Sequence, residues 1–157
     1  MAPPLPRRLQ RQGEGGFTLI ELMVVVLIIA ILIAIAIPTF LGARARAQDR
    51  AAQSNVRNAL VAEKTYFADK QAYTQVKAEL TAIEPSLAFD TNADQAPVAG
   101  SVAYAASGAT VTMATKSASG TCFYVRDTAT SGTTYLKNTT CEKPSAPTGS
   151  FTATGWQ

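Results

Sequence analysis

Residues 17–41, FTLIELMVVVLIIAILIAIAIPTFL, constrain this chain more than any other feature, because a 25-residue run so apolar needs lipid or protein around it. As an α-helix it extends about 38 Å at 1.5 Å per residue, which is enough to cross a bilayer. Glu21 is its only charged residue. The competing reading is an ordinary secretory signal peptide cut near Ala43-Arg44-Ala45. It fits poorly, since the apolar core of such a peptide is roughly 7–15 residues long. Charge does not orient the span, because Arg7, Arg8 and Arg11 before it are matched by Arg44, Arg46 and Arg50 after it.

The chain divides around this run. Residues 1–16, MAPPLPRRLQRQGEGG, hold three prolines, three arginines and three glycines with little apolar content, and read as a short basic leader. Residues 17–42 form the apolar helix, and residues 43–157 a small soluble domain. After Gly42 the helical pattern continues with a different face. Ala45, Ala52, Val56, Ala59, Leu60 and Phe67 recur at three- and four-residue spacings, whereas Arg46, Arg50, Arg57, Glu63 and Lys64 can point away. This amphipathic half is expected over 43–68.

A linker at 69–97 follows, with a helical turn near 75–83 that Glu84-Pro85 ends, since the residue before proline is pushed out of the α region. The second half is rich in Thr, Ser, Gly and β-branched residues. Short runs at 101–105, 110–115, 121–126 and 133–136, punctuated by Gly108, Gly120 and Gly132, predict an antiparallel meander of about four strands within 98–142. Such a sheet needs a cover for its apolar face, and the amphipathic half of the long helix is the only large element on offer. The fold class is therefore α+β, a long helix packed on a C-terminal sheet. The tail, 143–157, reads as loop that Phe151 and Trp156 could tuck back.

Composition narrows the function. Net charge is +3, but from Ala51 onward eight Lys/Arg balance eight Asp/Glu, which argues against a nucleic-acid surface on the folded part. The chain has no histidine, which removes Ser-His-Asp and Cys-His catalysis and the commonest zinc ligand. We expect no catalytic residue, metal or cofactor. Cys122 and Cys141, an even pair far beyond the apolar run, read as a disulfide, and closing that loop gains roughly 3 kcal/mol where the geometry allows. Asn138-Thr139-Thr140 fits a glycosylation sequon, although a turn asparagine explains it as well.

Gly15-Gly16-Phe17-Thr18-Leu19-Ile20-Glu21-Leu22 and the apolar run behind it resemble the N-terminal signature of class III signal peptides, shared by type IV prepilins and the pseudopilins of type II secretion. The resemblance implies that a prepilin peptidase cuts between Gly16 and Phe17 on the cytoplasmic face. Phe17 would then become an N-methylated first residue, through a methyltransferase. It implies a precursor held by a single span in the cytoplasmic membrane, then an extracellular homopolymeric filament built by a pilus assembly machinery. It also implies a C-terminal disulfide loop of the kind many type IV pilins carry.

Two positions keep alternatives open. A carboxylate at Glu21 costs roughly 2.5–3.5 kcal/mol inside a bilayer unless a cation compensates it. The new Phe17 amine, one turn away or on an incoming subunit, is the obvious partner and would set axial register. Alternatively Glu21 only occupies the headgroup level at a helix N-terminus. Pro38 should free the carbonyl of Ala34, with Gly42 a second weak point, so the helix can open there or simply kink where it leaves the membrane.

Three functions compete: a pilin, a pseudopilin, and a membrane-anchored enzyme or binding domain. The main pseudopilins typically carry an acidic calcium loop and lack a disulfide. Here the late acidic residues are only Asp127 and Glu142. An enzyme would need convergent polar groups, for which the sequence offers no constellation. Residues 84–99, with Pro85, Asp90, Asn92, Asp94 and Pro97, and the segment between Cys122 and Cys141 are the expected partner-facing surface.

Overall fold

In the computed structural model, residues 16–90 and 93–156 are described; the leader up to Gly15, with Arg7, Arg8 and Arg11, and Asn92 lie outside them. The first helix, α1, runs Leu19–Lys70 without a break, two residues beyond its expected end. The chain divides into two compact units, Met1–Phe40 and Leu41–Gln157, and the division falls between Pro38 and Gly42.

In the first unit every side chain of α1 is exposed, and the helix is apolar all round. It is long and apolar enough to cross a membrane. A helix without a polar face buries itself in lipid or against other helices.

The second unit holds the rest of α1, a short helix α2 (Lys77–Ile83) and five strands: β1 (Phe89–Asp90), β2 (Val102–Ser107), β3 (Thr110–Lys116), β4 (Cys122–Thr128) and β5 (Gly132–Asn138). The sheet order is β1-β2-β3-β4-β5, and all pairs are antiparallel except β1 with β2. The four-strand expectation is thus short by β1. Two residues carry no period-2 pattern; parallel pairing of Phe89 with Val102 makes that strand, and the Val102 amide donates to Ala88 O at 2.8 Å. The β2–β3 hairpin turns through Gly108, whose φ of 56° a side chain would resist.

Strand alternation builds two layers. On one face Val102, Tyr104, Val111, Met113, Phe123 and Val125 pack with Ala52, Val56, Ala59 and Leu60 of α1 into the main core. On the other face Ala114, Cys122, Tyr124 and Leu136 form a smaller cluster covered by Cys141 and Phe151. The tail does fold back: Tyr135 and Thr152 exchange two backbone bonds of 2.8 Å, which pairs the outer edge of β5.

Trp156 closes this arrangement. Its ring meets Phe123 and Tyr135 edge-on at 5.7 and 4.8 Å, its indole N–H donates to Tyr124 O at 2.8 Å, and the Arg57 guanidinium lies 4.7 Å from its centroid. Trp156→Ala should therefore lower unfolding stability by about 2 kcal/mol in urea titration, since it removes aromatic contact and leaves a carbonyl to solvent. A change within experimental error would mean that the tail only rests on the sheet.

Candidate functional site

The junction that opens α1 is built from residues of unlike kinds. Gly16, Phe17 and Thr18 precede the helix in non-helical backbone, and Phe17 is 79% exposed. A Cβ at Gly16 would meet nothing within 4 Å, and no positive φ demands glycine there. The fold of the described residues therefore does not require glycine at position 16.

Thr18 is the N-cap. Its hydroxyl oxygen accepts from the Glu21 amide at 3.2 Å, and the Leu22 amide donates to Thr18 O at 3.2 Å. Sequence reasoning passed over Thr18, although Thr-x-x-Glu before an apolar run is a capping signature. The cap fixes the helix start two residues after Phe17 and places Glu21 in the first turn, where the helix dipole favours negative charge. The Glu21 side chain is exposed.

Pro38 lies inside α1. The Thr39 hydroxyl donates to Ala36 O at 2.8 Å and to Ile35 O at 3.4 Å, so it braces the turn beside the proline but does not reach Ala34. Gly42 has no positive φ, and an added Cβ would make only an ordinary contact with Arg46, so local sterics leave this glycine unexplained. Cys122 and Cys141 are bonded, with their Cα atoms 5.4 Å apart.

Two buried carboxylates were not foreseen. Glu63, expected to point away, is fully buried. Its Oε2 accepts from the Thr74 amide at 3.1 Å, and its Oε1 has no hydrogen-bond partner. Burial pushes its carboxyl up to about 7; the Thr74 N–H opposes the rise and the Glu79 charge adds to it. The spacing 56, 60, 63, 67 already placed residue 63 on the inward stripe, and its charge was wrongly allowed to override position.

Asp127 is the second. It shares the inward face of β4 with Phe123 and Val125. Burial opposes its ionisation, but hydrogen bonds from Thr133, Tyr73 and Lys64, with the Lys64 charge at 2.9 Å, outweigh that and hold it below the usual carboxylate range. The other late acid, Glu142, accepts from the amide and hydroxyl of Thr148. Among the described residues no three His, Cys, Asp or Glu gather closely enough to hold a metal.

The segments expected to face partners are mixed. In 84–99, Phe89 and Pro97 are buried while Asp94, Gln95 and Val98 are exposed. Between the cysteines, β4 and β5 are structural, and exposure is concentrated at 129–132 and 139–140.

Comparison with known proteins bears on the junction directly. Residues 11–37 match the family model of the prokaryotic N-terminal methylation motif. The type IV major pilin protein PilA of Myxococcus xanthus is 46% identical over 65 residues, 41% of this chain and 30% of that protein. The type IV wide pilus major component PilA4 of Thermus thermophilus is 34% identical over 68 residues, 43% of this chain and 52% of that protein. The chain thus aligns with about a third and about half of the length of these relatives. It carries the prepilin-type N-terminal methylation motif and is similar, over about two fifths of its length, to type IV major pilins.

Proposed function

We propose that this protein is a structural subunit of a type IV pilus, made as a membrane-held precursor, cut between Gly16 and Phe17, and polymerised through α1. The observation that carries the reading is the exposed, non-helical Gly16–Phe17 junction set directly before a Thr18-capped helix that is apolar on every side. Hydrolysis of that peptide bond by a prepilin peptidase releases the leader and creates an α-amine on Phe17, the group a methyltransferase would modify. The protein supplies the substrate and catalyses nothing.

The physics of assembly follows from the helix. Its apolar surface is as well buried against neighbouring helices as against lipid tails, so transfer from bilayer to filament is nearly neutral for those atoms. Glu21 supplies the discrimination. Its carboxylate is costly in an apolar surround, and a Phe17 amine relieves it, which selects one axial register. The helix can loosen between Pro38 and Gly42, where the proline removes a donor and the glycine a propensity. A pseudopilin of type II secretion shares this N-terminal logic, but both relatives named above are pilus components, which favours the pilus.

Gly16→Glu tests the processing step without disturbing the fold, since space around Gly16 is open. Expression in the native host should yield a precursor that retains residues 1–16 on an immunoblot, and no surface filaments by electron microscopy. Normal filaments from an uncut chain would sink the proposal.

A further inference from the structure

On the face of the sheet turned from the main core, β2, β3 and β4 floor an open cleft of about 620 Å³. Its walls are the segments at Ala93-Asp94 and Pro144-Ser145, tied together by bonds from Lys143 Nζ and Ser145 Oγ to Asp94 Oδ1 at 3.4 and 3.2 Å. Arg126 lies in this cleft, level with Ala105 and Thr112 across the strands.

The Arg126 side chain is held in place. Its Nε donates to Thr112 Oγ1 at 3.1 Å, and its guanidinium carbon lies 4.0 Å from the centroid of the Phe151 ring. It takes part in neither of the ion pairs found among the described residues, Lys64 with Asp127 and Lys143 with Asp94. Among the described residues the one carboxylate lining the cleft, Asp94, is engaged by Lys143 and Ser145. A planar cation fixed by ring and hydroxyl, with no bond from its terminal nitrogens among the described residues, is preorganised for a carboxylate.

The rest of the floor defines what else that ligand carries. Ser107, Thr110 and Thr128 lie in register beside the Arg126 row, and with Thr112 they give four short hydroxyls able to donate and accept. The floor has no large apolar side chain to receive a peptide residue. We propose that this cleft is a binding site for an acidic saccharide, in which Arg126 pairs with a sugar carboxylate and the threonine hydroxyls meet ring hydroxyls. The volume accommodates one or two sugar units.

The test titrates the full chain in detergent micelles with D-glucuronate, D-glucose and inorganic phosphate, following protein NMR shifts. Glucuronate should saturate, with glucose and phosphate at least about tenfold weaker, and Arg126→Gln should weaken glucuronate by at least about tenfold. Ser107→Trp, a change at the exposed end of β2 on that floor, should fill the cleft and abolish binding with melting unchanged, which keeps the test valid should Arg126→Gln unfold. Glucose binding as tightly as glucuronate, phosphate matching it as at a bare anion site, no saturation by glucuronate, or undiminished binding by Ser107→Trp would each overturn the proposal.

Discussion

Glu63→Gln is expected to raise the stability of the chain at pH 8, to change it little at pH 4.5, and to remove most of its dependence on pH between the two. The wild-type carboxyl has a folded-state pKa of about 7 against an ordinary 4.5. Below about pH 4.5 the folded and unfolded chains both hold the proton, and the group costs nothing in linkage. From there to about pH 7 the folded chain keeps a proton that the unfolded chain has released, so stability falls as pH rises. Above pH 7 the full cost stands, on the order of 3 kcal/mol. Asp127, held below the usual range, works in the opposite sense, and its contribution is lost only as pH falls through its lowered value.

Glutamine keeps a carbonyl oxygen for the Thr74 amide and, like the protonated carboxyl, places a donor where Oε1 finds no partner, so the gain at pH 8 should approach the full linkage cost, on the order of 3 kcal/mol. Glu79, Tyr73 and Tyr104 surround the site electrostatically, and both tyrosines are pushed upward by burial first, so neither ionises in this window. Thermal melting of the full chain in detergent from pH 4.5 to 8 reads this out. A flat wild-type profile, or an equal slope in the variant, would show that water relieves Glu63.

The second large effect is on assembly. Glu21→Leu should leave the precursor in the membrane, correctly cut, and reduce surface filaments at least about tenfold, whereas Glu21→Asp should retain part of the yield. Insertion itself becomes easier by roughly 2.5–3.5 kcal/mol, so a loss of filaments cannot be ascribed to failed insertion. The helix start also survives, because the cap bond to Thr18 comes from the Glu21 backbone amide. Full piliation of the leucine variant would reduce Glu21 to a headgroup-level residue.

What could be read in the sequence follows from how local each signal is. The apolar helix is a matter of composition, and β2 to β5 are marked by β-branched runs between glycines, so both were legible. The β1 strand was not, since two residues acquire strand geometry only by pairing with Val102 and Ala103. Asp127 was within reach, because alternation with Phe123 and Val125 puts residue 127 on the inward face; its charge obscured that. Arg126 and Phe151 lie 25 residues apart and meet only once the tail has folded back, and no sequence period announces such a contact. At the junction, Gly16, Phe17 and Glu21 were legible as a pattern, and the role of Thr18 needed the geometry.

The most direct test of the central claim is intact mass and N-terminal sequencing of protein sheared from the surface of its native host, with and without reduction. The account predicts a chain beginning at methylated Phe17 that gains two hydrogens on reduction of the Cys122–Cys141 bond. A chain beginning at Met1, or near Ala47, would contradict it and return the apolar helix to an ordinary anchor or signal peptide.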